Sequence, residues 1–494
     1  MTNTNTTDQG PDIARLIDAV PTGLFIDGAW RKASGGGTLE VRNPATGEVL
    51  TSVADATEQD GLAALAAADE AQSRWAATPP RERSEILRRA FDLLVERTED
   101  VATLMTLEMG KPLAESRGEV AYAAEFFRWF AEEAVRIHGS YMTAPNGASH
   151  LLTMKQPVGP CLMVTPWNFP LAMGTRKIGP ALAAGCTMVV KPASETPLTM
   201  LALAALLAEA GVPAGVVNVI TTSSSGAVME PLIRDPRARK LTFTGSTAIG
   251  RKLVEQSAEQ LLRVSMELGG NAPFIVFDDA DLDAAVDGAM AAKMRNIGEA
   301  CTAANRFFVH ESVASEFGTR FAERMCAMTV GDGLAEGVTV GPLITEKAVG
   351  EVTALVEGAV EAGATKLCGD EAVPEVGNFL APTVLVDVPG QADIARQEIF
   401  GPVAALQTFT DEDDAIARAN DTEYGLASYF YTRDHARAMR VAEKLQYGMV
   451  GVNAGVISNP AAPFGGVKAS GFGREGGFEG IEEYLETKYV AMPR

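Results

Sequence analysis

Five cysteines, at 161, 186, 301, 326 and 368, are the first residues to weigh for chemistry. They form no C-x-x-C pair and have no histidine-rich partner segment, so neither a zinc site nor a disulfide framework is indicated. Cys301 stands in "GEACTAANRFFV", residues 298–309, as either a small buried hydrophobe or a nucleophile. Free cysteine more often packs than reacts, so its surroundings must decide. A second candidate is "FTGSTAIGRKL" at 243–253, where Gly245 and Gly250 permit a tight turn and a helix N-terminus would suit a pyrophosphate. A third, "GFGREG" at 471–476, matches G-x-G-x-x-G literally. It follows no predicted strand and leaves no room before residue 494 for a complete βαβ unit, so it fails as a dinucleotide fingerprint.

The elements that must position these residues alternate in type. "CLMVTP" (161–166), "CTMVVKP" (186–192), "VVNVI" (216–220) and "KLTFTGS" (240–246) are short, apolar, β-branched runs. Helix-length segments lie between them, such as "PLTMLALAALLAEAG", which starts at a Thr-Pro signal and closes on Gly211. This β-α-β-α order predicts a parallel, helix-covered sheet. A second α/β pattern begins near residue 268, with "APFIVF" and the acidic-capped helix "DADLDAAVDGAMAAKMRN". The cluster "TDEDDAIARAN" is read as a helix first turn, where carboxylates suit the dipole.

Composition bounds the function. The 494 residues are 47% hydrophobic and 21% charged, ordinary for two or three domains that each bury a core. The net charge of -22 disfavours nucleic acid and anionic membranes. The start "MTNTNTTDQGPD" has neither a basic n-region nor an apolar h-region, and no run approaches the length of a spanning helix. A cytoplasmic, reduced protein is expected, with no nucleic acid, membrane or metal among its partners.

Three segments converge on Cys301. "TPWNFPLAMGTRKIGPALAAGCTMVVKPASETPL" (165–198), "MELGGNAPFIV" (266–276) and "GEACTAANR" together resemble the aldehyde dehydrogenase superfamily, and the likeness continues through "EIFGPV" (398–403) and "APFGGVKASGFGREGG" (462–477). Within that superfamily the chain is most similar to members acting on succinate semialdehyde. The resemblance implies an α/β fold with a Rossmann-like NAD(P)-binding domain (20–138 and 158–267), an α/β catalytic domain (268–466) and a small β oligomerisation element (139–157 and 478–494). It also implies a homodimer or homotetramer.

It assigns Cys301 as the nucleophile. Oxidising an aldehyde needs a tetrahedral adduct that releases hydride to nicotinamide, and a thiolate supplies one, leaving a thioester. Asn168 and the Cys301 N–H become the oxyanion donors, Glu267 the base that activates water, and Lys177 a proton-relay lysine. Read alone, Asn168 is a turn residue and Glu267 a buried, paired acid. The cofactor positions are Thr165, Trp167, Lys191, Ser194, Gly245, Ser246, Glu267, Leu268, Glu398 and Phe400. Many NAD-preferring relatives carry a carboxylate three residues after the lysine; Ser194 stands there, so NADP is preferred over NAD, with adjacent Glu195 as the counterweight.

Arg176, Arg295 and Ser458 match positions that hold the distal carboxylate of a short semialdehyde, a task suited to the guanidinium fork. The alternative is that each arginine is a structural ion pair. Glutarate semialdehyde, 2-oxoglutarate semialdehyde or an uncharged aldehyde would use the same chemistry; a non-catalytic member of the fold is the reading from another class. Three departures stand out: Glu299 where Gln is usual, which would raise the thiol pKa or point to solvent; Ala303 where a second cysteine is frequent; and Met294 where an aromatic is common.

Overall fold

A computed structural model describes residues 13–494, so the polar segment 1–12 lies outside the described residues. The four predicted runs become the parallel strands Cys161–Val164, Met188–Lys191, Val217–Val219 and Lys240–Thr244, joined by Arg263–Glu267. Antiparallel strands close this eight-stranded sheet: the hairpin Leu24–Ile26/Ala29–Arg31 on one side and Gly471–Phe472 on the other. All four residues of Cys161–Val164 and of Met188–Lys191 are buried, as a sheet covered on both faces requires.

A second, seven-stranded sheet starts where the second α/β pattern was expected. Ala272–Val276, Ala304–His310, Val403–Phe409, Thr383–Val386, Ala427–Tyr431 and Met449–Val452 run parallel, and Thr365–Cys368 is antiparallel at one edge. The acidic-capped helix starts at Asp281, which accepts from the Ala284 N–H, and the acidic first turn follows Asp411, which accepts from the Asp414 N–H. The third sheet is antiparallel, Leu485–Pro493 against Ser149–Pro157 against Ser140–Thr143. No helix among the described residues is long and apolar enough to cross a membrane.

One helix deserves its energetics. Ala172–Ala184 is buried along its whole length and packs on Leu113–Glu133. At Gly179 an added Cβ would lie 3.2 Å from Phe130 Cδ2, so glycine permits the close approach. The buried rings Phe126, Phe127 and Phe130 fill that interface, and truncating any one to Ala costs about 3–5 kcal/mol. The packing places Arg176 and Lys177 inside the protein, where unpaired charge is not tolerated.

Candidate active site

The cofactor candidates gather at the carboxyl ends of parallel strands, the place where open α/β sheets bind ligands. Lys191 ends one strand and Glu267 another, Thr165 follows a third, and Gly245 with Ser246 follow a fourth. Cys301 comes from the second sheet, on the loop entering Ala304–His310. A cavity of about 240 Å³ runs between the sheets, lined by Trp167, Asn168, Ser246, Glu267, Cys301 and Phe400, among others.

The Cys301 loop is built under strain. The predicted helix through Asn296 stops at Met294, because Asn296 (φ 55°), Ile297 (φ 61°) and Gly298 (φ 78°) are all left-handed. The two non-glycine residues each cost on the order of 1 kcal/mol or more. The Asn296 amide offsets this by donating to the backbone carbonyls of Asn168 (3.1 Å) and Glu299 (2.9 Å). Close approach demands glycine at two points: a Cβ at 298 would lie 2.2 Å from Gly401 O, and one at 270 would lie 2.3 Å from Cys301 O. The result is a half-buried thiol. Burial pushes Cys301 up to about 12, the Arg176 and Arg295 cations work against that, and Glu398 and Glu267 add to it.

Asn168 is buried beside the thiol, its Nδ2 donating to Glu299 O at 2.9 Å and its Oδ1 unpaired. One Nδ2 hydrogen is thus used and the second is available to an oxyanion. Glu299 takes neither of its expected places. Its carboxyl is fully buried and accepts from the Ile344 N–H at 3.2 Å, and burial lifts its pKa well above the usual range.

Glu267 is 2% exposed and neither carboxyl oxygen has a partner. Burial raises it well above 4.5, the nearby Glu475 carboxylate raises it further, and Arg176 and Lys177 offset only part. Glu475 is the main residue that sequence reasoning overlooked. It pairs with both Arg176 and Lys177, while Lys177 also donates to Thr244 Oγ1 at 2.7 Å. Burial opposes its ionisation, yet the two cations hold Glu475 below the ordinary range. Its only signal was the acid inside "GFGREG", the segment set aside as a failed phosphate loop.

The two arginines differ in kind. Arg176 is spoken for: paired with Glu475, its guanidinium sits 4.1 Å from the Phe464 ring centroid. Arg295 forms no ion pair among the described residues; it donates to Ser458 Oγ at 3.1 Å and lies over the rings of Phe169 and Tyr122. The Tyr122 hydroxyl is itself buried without a partner, a further polar group that no sequence signal marked.

The crevice suits a nicotinamide dinucleotide. No side chain caps the helix Thr247–Ser257, which follows Ser246, and at Gly250 an added Cβ would lie 2.4 Å from Leu268 Cδ2. Lys191 reaches Ser225 Oγ at 2.8 Å, and Ser194 donates to Glu195 at 3.0 Å. Phe400, left-handed at φ 53°, sets its ring edge-on to Trp167, centroids 5.5 Å apart. Glu398 accepts from the Gly270 N–H at 3.1 Å, and burial pushes it up to about 7. The Thr165 hydroxyl is buried and unpartnered.

The aldehyde dehydrogenase family model matches residues 30–490. The chain is 60% identical over 444 residues to a succinate-semialdehyde dehydrogenase of Paenarthrobacter nicotinovorans, covering 90% of this chain and 99% of the relative. It is 54% identical over 468 residues to a glutarate-semialdehyde dehydrogenase of Pseudomonas putida, covering 95% and 97%. An Escherichia coli NADP-dependent enzyme of known crystal structure superposes with a TM-score of 0.95 at 53% identity, covering 97% of this chain and 99% of that one.

Proposed function

The chain belongs to the aldehyde dehydrogenase family, and on that premise we propose that it oxidises succinate semialdehyde to the acid with NADP. The observation that carries the substrate is Arg295: a half-buried guanidinium beside Ser458 with no carboxylate of its own among the described residues. A short aldehyde reaching from Cys301 brings the missing anion. Arg176, already neutralised by Glu475, is a second guanidinium, buried and close enough to favour the Cys301 thiolate.

Half-exposed Cys301 releases its proton to water and its thiolate adds to the carbonyl carbon, the C=O electron pair moving onto oxygen. The free Nδ2 hydrogen of Asn168 and the Cys301 N–H receive the oxyanion. Glu398 and Phe400 would hold the ribose of NADP, Lys191 and Ser194 its adenosine end and Ser246 its pyrophosphate, and the cofactor so held would supply the hydride acceptor. Glu267 first passes its own proton toward Lys177 and Glu475 and then takes one from a water that adds to the thioester, whose C–S bond breaks to free the acid and return the Cys301 thiolate. Glu267 starts protonated because of its burial, so an ionised Glu475 one step behind it is the group that makes relay meaningful.

Residues 20–138 with 158–267 serve as the cofactor domain and 268–466 as the catalytic domain. The segments 139–157 and 478–494 carry the subunit contacts of a homodimer or homotetramer in the cytoplasm. Strand Ser140–Thr143 supports this, being an exposed sheet edge with Tyr141 61% and Met142 52% exposed. Glutarate semialdehyde, one methylene longer, is the second reading, favoured by the 54% identical relative named for it.

The test is initial rates of NADPH or NADH formation with succinate semialdehyde, glutarate semialdehyde and butanal. A kcat/KM preference for a semialdehyde over butanal of about a hundredfold or more is expected from a desolvated guanidinium contact. Equal rates with butanal would remove the substrate assignment and leave the Cys301 chemistry standing.

A further inference from the structure

Behind the thiol lies a buried ion pair that the mechanism does not use. Lys111 and Glu119 are each 1% exposed at the side chain, with Lys111 Nζ 2.5 Å from Glu119 Oε2. Such a pair is costly to desolvate and is weak evidence for stability alone. What its remaining atoms touch is more informative.

Lys111 Nζ also donates to the backbone carbonyl of Asn168 at 2.7 Å, and lies 4.3 Å from the centroid of the Phe169 ring. The same ring carries the Arg295 guanidinium at 5.2 Å. The other oxygen of Glu119 accepts from the N–H groups of Leu171 and Ala172, both at 3.0 Å, where the turn 165–171 enters the helix Ala172–Ala184. Asn168 is therefore gripped by its carbonyl from Lys111 and Asn296, and by its side-chain amide through Glu299 O.

The anchor itself is rigid. Gly110 closes the preceding helix in a left-handed conformation. The backbone at 110 and 111 lies against Gly333 and Gly341, where an added Cβ would come within 2.5 Å and 2.1 Å of Lys111 O and Gly110 O. The Leu113 N–H also donates to Gly333 O at 2.9 Å. Lys111 is thus referenced to a loop of the second half of the chain, the half that supplies Cys301.

We propose that Lys111, locked by Glu119, is a positioning residue that sets the oxyanion donor Asn168 relative to Cys301 and, through Phe169, the ring under Arg295. The inference rests on the oxyanion role given to Asn168. Glu119 supplies both the counter-charge and the link to the helix that bears Arg176 and Lys177.

A double-mutant cycle on the full-length protein tests it. The neutral pair K111M/E119Q lowers kcat by on the order of tenfold or more, because a misplaced oxyanion donor weakens a contact made only in the transition state. Introduced into N168A, the same two substitutions change kcat by less than about threefold, since residues acting as one unit are non-additive. Lys111→Arg keeps the charge but alters the reach to the Asn168 carbonyl, and gives the same pattern whether or not the neutral pair folds. Alkylation of Cys301 by iodoacetamide in the cofactor-free protein stays within about twofold of the parent, because the thiol loop is untouched.

Equal factors in the parent and N168A backgrounds overturn the inference, as does alkylation that falls in step with kcat. If N168A alone leaves kcat unchanged, the oxyanion reading fails and takes the inference with it. Additive losses combined with a damaging N168A reject Lys111 alone.

Discussion

Arg176 and Glu475 form an ion pair in which the side chains are 1% and 4% exposed. A guanidinium read from sequence as a substrate contact is therefore also the counter-charge of a buried acid, shared with Lys177. Arg295 has no such acid among the described residues, which is why it is the cation proposed to meet the substrate. The two arginines should consequently fail in different ways.

Arg176→Met is expected to cost about 3 kcal/mol, because Glu475 keeps only Lys177 in a site that excludes water. Arg295→Gln should stay within about 1 kcal/mol of the parent and instead lower kcat/KM for succinate semialdehyde by roughly a hundredfold, sparing butanal. Thermal unfolding and paired substrate kinetics on both variants check this. An Arg295→Gln loss that is equal for butanal would assign that residue to structure.

Glu267 offers a prediction in two parts. On the base role proposed for its carboxylate, Glu267→Gln should give a burst near one NADPH per subunit and a steady rate lower by about 10²–10⁴. The stability consequence follows from the sign of its shift. Raised well above 4.5 by burial, the native carboxyl holds a proton that the unfolded chain has released, so stability falls as pH rises above that ordinary value. Glu267→Gln removes this slope. Its unfolding temperature should gain on the parent between about pH 5 and pH 8, and a gap that stays constant over that range would show Glu267 already ionised in the folded protein.

Much of this arrangement was legible in the sequence because it is local. Hydrophobic period found the strands ending at Val164, Lys191 and Thr244, and their ends dictate where a cofactor must lie. Clustered acids marked the starts of the two helices that Asp281 and Asp411 cap. Glu475, Lys111 and Glu119 were not legible: each is a charge whose meaning depends on a partner brought near by the tertiary fold, and a lone Lys or Glu in sequence usually signifies a solvated surface. The early helix end at Met294 escaped for a related reason. The backbone leaves the helix at Arg295 (ψ 126°) and turns left-handed at Asn296, whose side chain is held by the Asn168 carbonyl, a contact between segments that no period records.

Cys301 is held as a thiol in the free protein. Burial places its pKa at about 12 against an ordinary 9.0, so the thiolate fraction grows about tenfold per pH unit throughout the accessible range. Iodoacetamide alkylation of cofactor-free protein should therefore climb from about pH 7 to pH 10 without a plateau, whereas a denatured control levels off near the ordinary value. A plateau below about pH 9 would mean that the Arg176 and Arg295 cations outweigh burial.

Cofactor choice is proposed to turn on Ser194 and its neighbour. The Ser194 hydroxyl donates to Glu195 at 3.0 Å, and Lys191 stands three residues away with its ammonium on Ser225. A 2′-phosphate would compete with Glu195 for the Ser194 hydroxyl and gain the Lys191 charge. Ser194→Glu places a carboxylate where that phosphate must sit; like charges there should lower kcat/KM for NADP by about a hundredfold and leave NAD nearly unchanged. Glu195→Gln acts in the opposite direction, weakening the competitor for Ser194 and reducing the repulsion, with KM for NADP falling by roughly threefold. Steady-state kinetics with both cofactors on both variants decide the point: if Ser194→Glu weakens NAD and NADP alike, residue 194 shapes the adenosine end without reading the phosphate, and the NADP preference must originate at Lys191 and Ser225.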